Sequence, residues 1–139
     1  EDKAKVLGRF ADDVIVGSRF SEEVKRNLGD GVDAVIETVG TPTINESLRS
    51  LRTGGRILLV GNVNPDESYS LRLGYVILKD VAIVSNVASN KGDVVSVFNM
   101  VKSSKIEPVV AAKYPLQEFG KALEALQLGS RVGKILLVP

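Results

Sequence analysis

The 139-residue sequence contains no cysteine, no histidine and no tryptophan. Without cysteine the chain has no disulfide and no thiol nucleophile. The absence of both cysteine and histidine also removes the usual ligands of a zinc site. Because histidine is the commonest general base, any proton transfer by this chain falls to Asp, Glu, Lys or Tyr. We therefore assign no catalytic residue and no metal ligand from the sequence.

A predominance of charge of one sign is also lacking. The chain has 18 basic and 17 acidic residues, which leaves a net charge of +1. This balance predicts neither nucleic acid nor an anionic membrane as a partner. No apolar run approaches the roughly 18 residues of a membrane helix, and no signal peptide is visible. A composition of 44% apolar and 25% charged residues is typical of a globular domain, and we expect a cytoplasmic protein.

Short apolar runs alternate with amphipathic segments along the chain. Such an order favours βαβ units and a parallel sheet, so the predicted fold class is α/β. The segment Asp33–Gly40 is apolar enough to be a strand buried on both faces. Helices are predicted between the strands, including one at 93–104 with Val94, Val97, Phe98 and Val101 facing inward. The predicted strands are 11–17, 33–40, 56–62, 81–87, a segment within 107–116, and 133–139.

Three consecutive predicted strands end in small or polar residues. In open α/β sheets, ligands bind outside the carboxyl ends of the strands. Glycine at such an end lets a flat ring or a phosphate approach the backbone, because no Cβ intervenes; ordinary turn chemistry is the alternative explanation. The three ends are Thr38–Gly40, Val60–Asn62 and Ser85–Val87.

The segment Gly29–Ala34, "GDGVDA", fits the dinucleotide-binding pattern G-x-G-x-x-A. That pattern binds a pyrophosphate only where it follows a strand and opens a helix. Here it follows a predicted helix and precedes a strand, so we interpret it as a turn. The residues alone thus indicate a nucleotide-type α/β domain. A methyltransferase using S-adenosylmethionine and a non-catalytic interaction module remain open alternatives.

The ordered segments "ADDVIVGSRFSEE", "VDAVIETVGTPTINESLRSLRTGGRILLVGNV", "LRLGYVILKDVAIVSNVAS" and "GKILLVP" resemble the C-terminal part of medium-chain dehydrogenases/reductases. This superfamily includes zinc-type alcohol dehydrogenases and quinone oxidoreductases, and the segments are most similar to archaeal acryloyl-coenzyme A reductases. The resemblance implies a Rossmann-type doubly wound parallel sheet, incomplete at its N-terminal side in this chain. Residues 1–107 would belong to the nucleotide-binding domain, and residues 108–139 would pack on a GroES-like catalytic domain encoded upstream.

The same resemblance implies an NADP(H)-dependent oxidoreductase acting on a small molecule, with reduction of an enoyl thioester C=C bond as the expected reaction. The isolated 139-residue chain would then be inactive. Zinc-dependent alcohol dehydrogenase and quinone oxidoreductase are alternatives, NAD is an alternative cofactor, and zinc is expected only if its ligands lie upstream. The implied cofactor contacts are Thr38, Val39 and Gly40 at the nicotinamide ribose, Val60, Gly61 and Asn62 at the carboxamide, Ser85 and Asn86 completing the pocket, and Lys3 at the adenosine 2′-phosphate.

Two further expectations concern assembly and polar residues. The resemblance implies a homo-oligomer formed through the strand Val81–Val87, whose β-branched, nearly uncharged sequence would be a poor exposed edge. Glu37 lies within a predicted strand, and a structural hydrogen-bonding role is expected for it. Tyr69 and Tyr75 are expected to contribute packing rather than acid catalysis.

Overall fold

A computed structural model of the chain describes residues 3–129 and 131–139. The chain divides into two compact units, Ile15–Ala88 and the combination of Glu1–Val14 with Ser89–Pro139. We call them the central unit and the terminal unit. The helices and strands, in chain order, are α1 (Lys3–Leu7), α2 (Phe20–Leu28), β1 (Val32–Glu37), α3 (Ile44–Ser50), β2 (Leu51–Leu59), α4 (Leu73–Leu78), β3 (Ala82–Ser85), α5 (Lys91–Lys102), β4 (Val110–Pro115), α6 (Phe119–Gln127) and β5 (Lys134–Val138).

The central unit contains a three-stranded parallel sheet with the order β1-β2-β3. In its register Ile36 lies beside Leu58, and Leu58 lies beside Val84. Because the strands are parallel and consecutive in the chain, their carboxyl ends meet at one edge of the sheet. The structure therefore brings together the three strand ends that the sequence analysis singled out.

One face of this sheet holds the hydrophobic core. The fully buried side chains are Leu51 and Ile57 of β2. Ile44 and Leu48 of α3 and Val81, just before β3, complete the buried cluster. Leu51 begins β2 directly after α3, so the strand starts earlier than the predicted range 56–62. The turn from helix to strand is thus itself part of the core.

The opposite face of the sheet is not covered to the same degree. Ile36 is 70% exposed, and Val84, which lies in the same row on the far side of Leu58, is also exposed. Side chains alternate between faces along a strand, so this row lies opposite the buried Glu37 and Ile57. The prediction that the strand at 33–40 is buried on both faces is wrong for the chain as described.

The sequence of α2 explains why this segment forms a helix. Glu22 and Glu23 occupy its first turn and Lys25 and Arg26 its last, which complements the helix dipole. Gly29 ends the helix with a positive φ of 68°. Asp30 and Gly31 then lead into β1, so "GDGVDA" follows a helix and runs into a strand, and its interpretation as a turn rather than a phosphate loop is confirmed.

The terminal unit is built around a second parallel pair, β4 and β5. Helix α6 packs on both strands and places Ala122 in the interior. Helix α5 is capped by Asn90, whose side chain accepts hydrogen bonds from the backbone N–H groups of Gly92 and Asp93 in a capping box. The predicted sequence of strand, helix and strand at the end of the chain is confirmed.

Two predictions for local structure are wrong. Residues 11–17 form no strand, although Val14, Ile15 and Val16 have high β propensity; propensity yields to tertiary context, and here no neighbouring strand pairs with them. In α5, no residue is buried, so Val94, Val97 and Phe98 do not face a core within the described residues. An apolar stripe on a helix indicates burial only where another element covers it.

We predict that Ile57→Ala lowers the free energy of unfolding by about 2–5 kcal/mol, because it removes a fully buried side chain and leaves a cavity. The matched control is Ile77→Ala on α4, where the side chain is 74% exposed; its effect should stay within about 0.5 kcal/mol. Chemical denaturation followed by circular dichroism measures both. Equal effects would contradict the assignment of the core.

Candidate functional site at the strand ends

A cleft of about 350 Å³ lies at the carboxyl ends of β1 and β2, in the central unit. It is bounded on one side by the turn that opens α3 and on the other by the loop after β2. The residues that line it are Gly40, Thr41, Ile44, Leu59, Val60, Gly61, Asn62, Glu67 and Tyr69. Four of the residues predicted from the sequence are thus at the cleft, namely Gly40, Val60, Gly61 and Asn62.

Backbone hydrogen bonds hold the two strand ends side by side. The N–H of Val60 donates to the carbonyl of Glu37 at 2.8 Å, and the N–H of Val63 donates to the carbonyl of Val39 at 2.9 Å. The Asn62 side chain extends this connection, because its Oδ1 accepts from the Thr41 hydroxyl at 2.9 Å and from the Thr41 N–H at 3.2 Å. The side-chain oxygen of Asn62, the last residue of "VGN", therefore has a structural role as a hydrogen-bond acceptor.

Glu37 fixes the turn after β1 from inside. It is only 3% exposed. One carboxylate oxygen accepts from the N–H groups of Val39 at 2.8 Å and Gly40 at 2.9 Å and from the Thr43 hydroxyl at 2.9 Å. The other accepts from the Ser47 hydroxyl. The expected structural role of Glu37 is confirmed.

The pKa of Glu37 follows from this environment. Burial raises it, but the hydrogen bonds from Ser47, Gly40, Val39 and Thr43 together outweigh burial and hold the pKa below its ordinary value of 4.5. The carboxylate is therefore ionised at neutral pH. It serves as an acceptor within the turn and does not line the cleft, so it is not a general acid.

The two glycines at the cleft are required by the protein's own atoms. Gly40 has φ 89°, and a Cβ there would lie 2.5 Å from Asn62 Oδ1. A Cβ on Gly61 would lie 2.5 Å from the carbonyl oxygen of Thr38. Such contacts are too close for any larger residue. The space that each missing side chain leaves is thus filled by the neighbouring strand end, so close packing alone accounts for both glycines.

The other predicted cofactor contacts lie at varying distance from this arrangement. Thr38 and Val39 precede Gly40 but do not line the cleft. Ser85 ends β3 beside Leu59, and the N–H of Asn86 donates to the Leu59 carbonyl at 3.1 Å; both residues are exposed and neither lines the cleft. Lys3 begins α1 in the terminal unit and is exposed.

The cleft is suited to binding a flat, largely apolar group. Its walls are mainly apolar side chains and glycine backbone. Among the described residues, the N–H of Asn62 and the carbonyl of Val60 take part in no hydrogen bond, so a donor and an acceptor remain for a ligand. A carboxamide-bearing ring such as nicotinamide fits this set of groups. Glu67 and Tyr69 are the titratable residues in the lining, and the sequence analysis did not place them there, because loop residues carry no periodicity that fixes their direction.

The residues do not fit a zinc ion. Within residues 3–129 and 131–139, no group of three or more Asp, Glu, His or Cys side chains is placed to hold a metal.

Tyr75 has the predicted packing role: it lies against the core cluster and donates from its hydroxyl to the Leu48 carbonyl at 3.2 Å. In the described part of the chain, no helix is both long and apolar enough to cross a membrane.

The parallel sheet and the helices that connect its strands belong to a Rossmann-type α/β fold. A family model described as zinc-binding dehydrogenase matches residues 10–137. The chain belongs to this family. Membership agrees with the resemblance to medium-chain dehydrogenases/reductases and leaves the methyltransferase alternative without support.

Two curated relatives are acryloyl-coenzyme A reductases. The protein from Metallosphaera sedula is 49% identical over 137 residues, which are 99% of this chain and 40% of that protein. The protein from Sulfurisphaera tokodaii is 46% identical over 139 residues, 100% of this chain and 41% of that protein. The chain therefore spans about two fifths of the length of these relatives.

Solved structures agree with this assignment of the fold. The crystal structure of AibC superposes with a TM-score of 0.87 at 31% identity, over 99% of this chain and 40% of AibC. The mycobacterial protein Rv1454c, solved in complex with NADPH, superposes with a TM-score of 0.77 at 24% identity, over 99% of this chain and 47% of that chain. Both likenesses cover essentially the whole chain, including the strand ends.

We predict that Glu37→Gln destabilises the protein in a pH-dependent way. A carboxylate whose folded-state pKa is lowered stabilises the fold above the unfolded-state value and loses that contribution as pH falls through the folded-state value. Near neutral pH the variant should lose about 1–3 kcal/mol, because a charged acceptor becomes a neutral amide. The difference from the wild type should shrink as pH falls below 4.5. Urea denaturation over a pH series measures it, with the exposed Glu107→Gln as the matched control; a pH-independent difference would refute the explanation.

We also predict that Gly61→Ala destabilises the strand ends. The new Cβ would meet a backbone carbonyl that cannot rotate away, and such overpacking costs about 1–3 kcal/mol. Gly74→Ala on α4 is the control, since nothing lies within 4 Å of its Cβ position, and it should be neutral or slightly stabilising. Thermal unfolding of both variants without added ligand provides the comparison. If Gly61→Ala unfolds like the wild type, the close packing with Thr38 is not what requires glycine there.

Proposed function

We propose that this chain is the nicotinamide-binding part of an NADP(H)-dependent oxidoreductase that reduces the activated C=C bond of a small enoyl thioester such as acryloyl-coenzyme A. The observation that supports this most is the identity of 49% and 46% to two acryloyl-coenzyme A reductases, over a stretch that includes the cleft. Bound NADPH would supply the hydride. The chain's own contribution would be to bind and orient the ring that carries it.

The strand ends suit that orienting role. The ring would lie against Val60 and Gly61, while the free N–H of Asn62 and carbonyl of Val60 would bind its carboxamide. Because Glu37 and Asn62 hold the two ends through short hydrogen bonds, the cleft keeps its shape before the cofactor binds. Such preorganisation favours a single ring orientation and thereby hydride transfer from one face. Thr38, Val39, Ser85 and Asn86 would contribute at the rim of the site.

NADP is proposed over NAD. The NADPH complex of a structural neighbour supports it in general terms, and the exposed Lys3 would be available to a 2′-phosphate. Zinc-dependent alcohol dehydrogenase or quinone oxidoreductase chemistry is less well supported. The two acryloyl-coenzyme A reductases are 49% and 46% identical to this chain, whereas two NAD-dependent alcohol dehydrogenases and the quinone oxidoreductase of Rattus norvegicus are 22%, 24% and 24% identical.

We also propose that the protein is a cytoplasmic homo-oligomer assembled through the strand at Val81–Val87. All four residues of β3 are exposed. Within the described part of the central unit, β3 is hydrogen-bonded to β2 on one side, and its other edge is open. An apolar strand edge of this kind is normally covered by another strand. Sedimentation of the protein at its natural length tests this, and a strict monomer would contradict it.

The binding role of the cleft can be tested by filling it. Val60 lines the cleft and is 46% exposed, so Val60→Trp should occupy the space of the ring without disturbing the core. In the protein at its natural length, we expect the KM for NADPH in acryloyl-coenzyme A reduction to rise at least about tenfold, which corresponds to about 1.4 kcal/mol of lost binding. NADPH consumption with acryloyl-coenzyme A as the second substrate measures it.

The control is Val63→Trp, in the same loop, because Val63 is 61% exposed and does not line the cleft. It should leave the KM for NADPH within about twofold of the wild type, as expected for an exposed substitution. An unchanged KM in Val60→Trp would show that the ring does not bind here. If no enoyl thioester serves as the second substrate for NADPH oxidation by the wild type, the proposed reaction is wrong.

A further inference from the structure

A second cavity, of about 340 Å³, lies in the central unit on the outer side of α3. Side chains from α2, α3 and α4 and from the loop before α4 line it. Its most conspicuous members are three cations and two tyrosines: Lys25, Arg49, Arg72, Tyr69 and Tyr75. The proposed nicotinamide site does not use the three cations.

The helices that bound this cavity are fixed by a polar contact. The Ser21 hydroxyl donates to Glu46 Oε2 at 2.7 Å, and the Ser21 N–H donates to the same oxygen at 3.1 Å, which joins α2 to α3. The hydrogen bond from the Ser21 hydroxyl, opposed in part by burial, holds the pKa of Glu46 below its ordinary value. The cavity wall is therefore an ordered part of the fold and not a chance gap between loose helices.

The charge in the cavity is not balanced. Arg49 lies 3.6 Å from Glu46, and the lining carboxylate of Glu22 lies 3.9 Å from Arg19. Neither Lys25 nor Arg72 has an ion-pair partner in the part of the chain that the structure describes. Two uncompensated cations facing one concave surface produce a positive potential that attracts an anionic group.

The tyrosines give the cavity an aromatic wall and a connection to the cleft. Tyr75 is held in place through the hydrogen bond from its hydroxyl to the Leu48 carbonyl. Tyr69 lines both this cavity and the cleft at the strand ends, so the two sites adjoin at its side chain. An elongated ligand that passes this side chain would therefore contact both sites.

We propose that this cavity binds the phosphate-bearing nucleotide end of a coenzyme A thioester whose acyl end lies beside the nicotinamide ring at the cleft, an inference that rests on the proposed function. Lys25 and Arg72 would bind the phosphate oxygens, and arginine is well suited to this because it donates two parallel hydrogen bonds. The tyrosine rings would pack on the adenine or on the arm that leads to the thioester. The positive cavity would thereby select thioesters of a phosphorylated carrier over simple enoyl esters.

The test uses the protein at its natural length and compares acryloyl-coenzyme A with acryloyl-pantetheine, which lacks the nucleotide. In Lys25→Gln/Arg72→Gln, we expect the KM for the coenzyme A thioester to rise roughly tenfold or more, since hydrogen bonds to charged groups are lost. Its kcat, its KM for acryloyl-pantetheine and its KM for NADPH should stay within about twofold of the wild type. The control is Arg26→Gln/Lys102→Gln, which removes the same charge outside the cavity and should change none of these values.

The outcomes separate this inference from the proposed function. A double variant with an unchanged KM for acryloyl-coenzyme A, or with equal increases for both thioesters, would overturn the inference. An increase in the KM for NADPH would assign the cavity to the cofactor instead and would also overturn it. If the wild type reduces neither thioester, the proposed function is wrong. Calorimetric titration with coenzyme A then tests separately whether the cavity binds the nucleotide. Weaker binding only in Lys25→Gln/Arg72→Gln would support it; equal binding in all three proteins, or none to the wild type, would refute it.

Discussion

The buried carboxylate of Glu37 determines the geometry from which the candidate site is built. A charged group with so little exposure is tolerated only when donors satisfy it, and here two backbone N–H groups and two hydroxyls do so. Those donors come from the turn after β1 and from α3, so one side chain fixes where the strand ends and how the helix begins. Because Gly40 is thereby placed against Asn62, the end of β2 is fixed as well. The cleft is the space left beside these two constrained ends.

The distribution of apolar surface explains how such a site is supported. The core of the central unit lies on one face of a three-stranded sheet, around Leu51 and Ile57. The row formed by Ile36, Leu58 and Val84 lies on the other face and includes strongly exposed side chains. Contiguous apolar surface of this kind normally marks an interface with another element or chain. This agrees with a chain that spans about two fifths of the length of its acryloyl-coenzyme A reductase relatives.

Particular residues show which parts of the fold could be predicted from the sequence. The alternation of apolar runs and helical patterns correctly predicted the parallel strands at β1, β2 and β3, since periodicity reflects which side chains are buried. The order of "GDGVDA" after a helix correctly identified a turn. The segment around Val14 to Val16 was predicted wrongly, because a strand forms only where a neighbour supplies hydrogen bonds. For the same reason the apolar stripe of α5 did not predict burial.

The candidate site was predictable in outline but not in its contacts. Gly40, Val60, Gly61 and Asn62 were found because consecutive parallel strands must end at one edge. The roles of Glu67 and Tyr69 were not predictable, because the direction of a loop side chain depends on the path of the loop. The close approach of each glycine to the neighbouring strand end was not predictable, because it depends on how the two strand ends pack.

The amino-acid sequence by itself determined the α/β class, the order of the strands, the exclusion of thiol, disulfide and histidine chemistry, and the family resemblance. These depend on composition and on local periodicity, which are properties of the chain read in one dimension. Only the tertiary structure decided that Glu37 holds the turn, that one face of the sheet is exposed, and that Lys25 and Arg72 face one cavity beside Tyr69. The exposed sheet face and the cavity join segments more than 20 positions apart, which meet only when packing and loop closure bring them together. The contacts of Glu37 are closer in the chain, but they depend on how the turn and the start of α3 fold around the carboxylate.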